Sequence, residues 1–227
     1  MKCIFEFVAF ALRLLTEFNV AFQADKPLFY RLKLETESLI KELSLSFVKK
    51  DYVKSTNAFQ INVNDPSVYL PLENIYLGPN GQDSLLTLKS DPGVPHDAVE
   101  KILRAAQSFY IEAVQQIQTR FRFNDDIYKY AEIVDPVSAQ SLQLGSLQPF
   151  VRRYGKVSWD GNKIEQEWRK QSLTNVENIE NMDAVTYWRL VFSKKNSAGI
   201  EVYANLKLAV IFVFTLPFSN VVVESFF

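Results

Sequence analysis

Apolar residues recur along this chain mostly at intervals of three and four, the spacing of helices that bury one face. Residues 3–22 read as an apolar-rich helix with Glu6, Arg13 and Glu17 on its wetter side. Asp25 is a candidate N-cap with Pro27 in the first turn, and Leu28, Leu32, Leu39, Leu43 and Phe47 then repeat to about Lys50. From Asp51 to about residue 95 the periodicity fails. Asn62-Val-Asn-Asp-Pro66, Pro71 and Gly78-Pro-Asn-Gly81 are turn chemistry, which predicts a loop-rich, partly ordered stretch. Asp97-Ala-Val-Glu100 resembles a capping box. It opens the strongest stripe: Val99, Leu103, Ala106, Tyr110, Ala113, Ile117 and Phe121, a core face that would run roughly 40 Å to Phe123.

The C-terminal half is more broken. A short helix is predicted over Asp126–Val134, with Asp125 as its cap, ending before Asp135-Pro136. Residues 136–162 read as loop, and Lys163–Gln171 as a short helix carrying Trp168. Met182-Asp183 opens a further helix with Val185, Trp188 and Phe192 on one face, broken by Asn196-Ser-Ala-Gly199. Asn205 then caps Leu206–Leu216, closed by Pro217; this run is apolar enough to be a buried strand instead. The chain reads as mainly α, without an internal repeat.

Composition narrows the chemistry. The chain has 227 residues, enough for one large domain or two small ones, with 48% hydrophobic and 22% charged residues, as in a globular protein. Seven glycines and long stretches between prolines favour helices over a turn-rich β fold. With 25 basic and 26 acidic residues there is no electrostatic footprint for nucleic acid, and the pairs Lys49–Lys50, Arg152–Arg153 and Lys194–Lys195 read as solvated helix ends and loops. Cys3 and His96 are the only cysteine and histidine, too few ligands for zinc, and His96 reads as a solvated loop residue. Glu6 and Arg13 interrupt the N-terminal apolar run, so a signal peptide is not expected, and Leu206–Pro217 is too short to span a bilayer. Of three tryptophans, Trp188 is expected in a core or subunit interface, Trp168 half-buried, and Trp159 free to stack on a base.

A family pattern is carried by the C-terminal residues. Trp188-Arg-Leu-Val-Phe, Asn205-Leu-Lys-Leu-Ala209 and Thr215-Leu-Pro-Phe-Ser-Asn220-Val-Val-Val-Glu224 resemble the dimerisation region of hAT-superfamily transposases. Phe18-Asn-Val-Ala-Phe-Gln23 with Asp25-Lys-Pro27, Pro71-Leu-Glu-Asn-Ile-Tyr-Leu-Gly78, and Phe109–Asn124 with Phe123-Asn-Asp125 are similar to segments of that family's helical insertion. The resemblance implies the helical insertion of an interrupted RNase H-like fold, with the catalytic sheet largely missing. It implies an insertion-like region over residues 1–180, loop-rich at about 51–95, and a truncated dimerisation region over 181–227. On this mapping the chain is a piece of a larger protein whose two catalytic aspartates lie upstream of Met1.

DDE-type transposition uses two metal ions held by three carboxylates. Glu224 occupies the family's third-carboxylate position, where Ser225 replaces the usual following Arg, and Tyr30 stands near Pro27 where relatives often carry His. One carboxylate cannot hold two Mg²⁺ ions, so Glu224 is vestigial, no catalytic residue or metal site is assigned, and no cofactor is expected; Mg²⁺ enters only if the upstream aspartates exist. Asp125 and Asp126, adjacent on the chain, diverge on a helix, and Asp51, Asp65, Asp91 and Asp135 sit beside turn residues. The resemblance thus implies a non-enzymatic, transposase-derived nuclear protein that dimerises through Trp188, Leu206, Leu208, Ala209, Leu216 and Pro217. The expected partner is a second copy or a related transposase-like chain, not a membrane. The alternatives are part of a Mg²⁺-dependent transposase, or a DNA-binding remnant without catalysis.

Overall fold

In the computed structural model, which describes residues 1–23 and 29–215, the chain is mainly α. Among the described residues the β-type pairings are two isolated bridges, Val48 with Tyr69 and Lys195 with Glu201. The chain divides into two compact units: Met1–Gln23 with Lys33–Arg122, and residues 29–32 with 123–215. Residues 181–215 share their core with 123–180, so the fold does not divide at the expected 180/181 boundary. The expected Asp25 cap, Pro27 and Leu28 lie outside the described residues.

The first unit is built on long helices. α1 (Lys2–Gln23) buries Cys3, Phe7, Ala11, Leu14 and Phe18, one stripe at spacings of four, four, three and four. α2 (Leu32–Leu45) buries Leu39, Ile40 and Leu43, with Phe47 just beyond it; the chain turns there and α3 (Lys50–Ser55) follows. α4 (Pro79–Ser90) lies along α1. Gly78, in front of it, has φ +80°, and an added Cβ would sit 2.4 Å from the Phe10 ring, so only glycine fits there. α5 (His96–Arg120) buries Leu103, Ala106, Tyr110 and Ile117 of the predicted stripe, with Val114 buried in place of Ala113, which like Val99 is half-buried. It starts before the expected cap, with Asp97 already inside its first turn and paired with Lys101 at 2.7 Å.

Residues 51–95 are not the linker that their turn chemistry suggests. Besides α3 and α4 they hold three short 3-10 turns, and Ile61, Val63, Ile75, Leu77 and Leu85 are buried. The backbone is fastened from α5: the Gln118 amide donates to the carbonyls of Ala58 (2.9 Å) and Ile61 (3.0 Å), and the Tyr110 hydroxyl to that of Tyr76 (2.9 Å). Phe47 stacks on Tyr110 with ring centroids 5.9 Å apart. Irregular backbone stays folded here because its polar groups find partners.

The second unit is built from short pieces: α6 (Ile127–Ala131), α7 (Pro136–Gln140), α8 (Gln148–Tyr154), α9 (Gly161–Gln171), α10 (Ala184–Phe192) and α11 (Ala204–Phe214). Two of these, α7 and α8, fall in the stretch expected to be loop. Helices this short are marginal alone, and side chains complete their ends. Asp135 accepts from the Ser138 amide (2.9 Å), Asp160 from Asn162 and Lys163 (both 3.1 Å), and Asp183 from Thr186 (3.1 Å). Asp125 accepts from the Ile127 amide (2.9 Å) in the turn ahead of α6, while the N-cap position itself is Asp126, not the expected Asp125. The core is aromatic. Trp168 is fully buried rather than half-buried, its indole donating to the Gly145 carbonyl (3.2 Å), and Trp188 donates to Val134 (3.0 Å). Tyr187 donates to Gln171 (2.6 Å), which donates on to the Ala139 carbonyl.

Candidate interaction surface

The apolar run after Asn205 is a helix, and α9 explains why. Glu167 accepts from the amides of Asn205 (2.9 Å) and Leu206 (2.7 Å) and from the Asn205 side chain (2.6 Å). A carboxylate placed there satisfies amides that a helix start leaves open and complements the positive end of its dipole. Asn205 therefore lies inside the first turn and is held by Glu167 instead of capping the helix itself. Leu206, Ala209, Val210 and Val213 are buried at helical spacing.

The opposite side of α11 is apolar too. Ala204, Leu208, Ile211 and Thr215 follow at spacings of four, three and four; Leu208 is 43% exposed and Ile211 45%. Lys207 is the one charged residue of α11; a helix otherwise so apolar is normally enclosed on most sides, yet this face is open. Ile200 is also exposed, and Lys207 and Glu201 form an ion pair (3.6 Å). Phe212 is half-buried between these faces, with ring centroids 5.8 Å from Trp159 and 6.0 Å from Phe150. Trp159 is thus committed to an intramolecular aromatic cluster, not free to stack on a base.

The six residues expected to dimerise separate here. Trp188, Leu206 and Ala209 belong to the interior of the second unit, where an intact fold cannot present them. Leu208 faces outward. Leu216 and Pro217, like Glu224, lie outside the described residues. Ile211 was missed; its signal was its place three residues beyond Leu208 on the outward side.

The other candidate residues have structural partners. Arg153 bridges Asp126 (2.8 Å) and Asp125 (3.5 Å), and the Tyr154 hydroxyl donates to Asp125 (3.3 Å). The Ile127 amide first, then Tyr154 and Arg153, hold the Asp125 carboxyl below its ordinary range. Asp65 accepts from the Ser67 amide (2.9 Å) and Asp91 from Gly93 (2.8 Å). Lys49 donates to the Ser67 carbonyl (2.6 Å). Burial pushes the Cys3 thiol up, away from the thiolate, and its sulfur lies 3.5 Å from the Gly81 carbonyl. His96 opens α5. Among the described residues no group of three or more His, Cys, Asp or Glu is placed to hold a metal ion, and no helix is long and apolar enough to cross a membrane. No protein-family model, no curated protein and no solved structure matches this chain.

Proposed function

We propose that this chain is a non-catalytic, transposase-derived protein whose activity is protein association, with the outer face of α11 as the contact. One observation carries the reading. α11 is apolar but for Asn205 and Lys207, and its own unit buries Leu206, Ala209, Val210 and Val213 while leaving Leu208 and Ile211 exposed at the spacing of a helix–helix seam. The hAT-like residues of Asn205–Ala209 fall on this helix, which supports descent from that family's dimerisation region and, with it, the helical insertion of an RNase H-like fold and action in the nucleus. The structural engagement of Asp65, Asp91, Asp125, Asp126 and Asp135 supports the non-catalytic part.

The test is the mass of the full chain in solution against concentration, by sedimentation or light scattering. Self-association is expected, and Leu208→Glu with Ile211→Glu should weaken it at least tenfold without changing helical circular dichroism. A wild-type chain that stays monomeric at tens of micromolar, or a double variant that associates as well as wild type, overturns the reading.

A further inference from the structure

α1 carries a second apolar stripe, on the side away from its core. Met1, Phe5, Ala9, Leu12, Thr16 and Val20 follow at spacings of four, four, three, four and four. All six are exposed, Phe5 at 67% and Val20 at 59%. Ala9, Leu12, Thr16 and Val20, with Arg13 and Glu17, line a shallow groove along the helix. The spacings read the same from either end. That symmetry is what a face needs in order to meet itself across a two-fold axis.

Two further properties agree with such a pairing. With the two-fold axis between Ala9 and Leu12, an antiparallel copy sets Phe5 opposite Thr16, Leu12 opposite Ala9, and Val20 opposite Met1. Two of these layers thus join a large side chain to a small one. One edge of the stripe is charged: Lys2, Glu6, Arg13 and Glu17, which alternate in sign and pair within α1 as Lys2–Glu6 and Arg13–Glu17, both at 3.7 Å. In the antiparallel pair this edge meets its own reverse. Lys2 then faces Glu17 of the second copy, and Glu6 faces Arg13 of the second copy, so each contact joins opposite charges. A parallel pair would bring this charged edge against the apolar edge of Val8 and Leu15 and form none of these contacts.

We propose that the outer face of α1 is a self-association surface, on which a second copy of this chain seats its own α1 antiparallel. It is separate from the α11 face and does not rest on it. A single helix pair falls short of the ~800 Å² per partner of a standard interface. The dimer is therefore reversible, and weakened by salt at its ion pairs.

Sedimentation of the full chain tests it, in wild type and in the Leu208→Glu, Ile211→Glu background that removes the α11 contact. In both, association is expected to fall at least tenfold with Leu12→Lys, an exposed position whose change leaves helical content intact. Charge exchange tests the orientation while leaving Glu6 in place, because the Ser84 hydroxyl donates to it. In the Leu208→Glu, Ile211→Glu background, Lys2→Glu with Arg13→Glu should abolish self-association. Mixing that variant with Glu17→Lys in the same background should restore a mixed dimer, in which three of the four contacts join opposite charges. The proposal is overturned if Leu12→Lys associates like its parent, if the mixture stays monomeric, or if the α11 background is monomeric at every concentration. The last result leaves the α11 reading standing; an α11 background that associates as well as wild type and loses that association with Leu12→Lys leaves only this one.

Discussion

The two units reach compactness by different routes. The first relies on helix length: α1 has 22 residues and α5 has 25, and each buries a continuous stripe through which much of the unit is organised. The second has no helix longer than 11 residues among those described, and depends on side chains that finish the ends of its elements and on indoles that reach into loops. Long helices spread their stability over many small contacts. Short ones concentrate it, so that a few residues hold several elements at once.

Substitution should expose that contrast, most strongly in the second unit. Trp188→Ala opens a large cavity and leaves the Val134 carbonyl without its donor, a loss of about 3–5 kcal/mol. Hydrogen exchange should show protection lost over residues 123–215 and kept in α5. Equal loss in α1 and α5 would make the two units one cooperative block and end the comparison.

Glu167→Ala tests concentration at a single polar group. It removes the acceptor for three donors at the start of α11 and should cost about 2–3 kcal/mol. The early unfolding of α11 would appear as faster amide exchange there than in α9. A melting temperature equal to wild type would mean that water serves α11 as well as Glu167 does.

The smallest effect is expected in the first unit. Tyr110→Phe loses the bond to the Tyr76 carbonyl, worth about 1 kcal/mol at neutral pH, and the hydrogen bond with the Ser46 side chain. Its pH dependence is more telling. Burial pushes the Tyr110 phenol up to about 12, from an ordinary value near 10. A raised pKa means that the folded state favours the protonated form. The stabilisation is therefore complete below about pH 10 and lost as pH rises toward 12. Alkaline melts of wild type should fall more steeply through that window than those of Tyr110→Phe; parallel curves would show that another group governs alkaline unfolding.

The same contrast decided what could be read from the residues alone. α1 and α5 were legible because one face repeats for six or seven turns, and α9 and α10 because Trp168 and Trp188 follow cap-forming residues closely. Residues 51–95 were not. Ile61, Val63, Ile75 and Leu77 have no helical period, and their burial depends on Gln118 and Tyr110, which lie far along the chain. The start of α5 was misplaced because Asp97 and Glu100 serve equally as a cap or as helix-surface partners of Lys101 and Arg104. At the candidate surface, the α11 segment was legible but the choice of face was not. Trp188, Leu206 and Ala209 have the same chemistry in a core as in an interface, and only packing assigns them to the core.

One feature of α9 bears on how the protein is made. Glu165 accepts from the Leu147 amide at the start of α8, and Glu167 holds the start of α11, 38 residues downstream. On a ribosome, the first of these contacts can form while the chain is still short. The second must wait until α11 has emerged. During that interval α9, which carries Trp168, lacks the helix that packs against it, and the nascent unit exposes apolar surface of the kind that makes folding intermediates prone to aggregate. The second unit thus has a vulnerable period during synthesis, set by the distance along the chain between α9 and the helix that α9 secures.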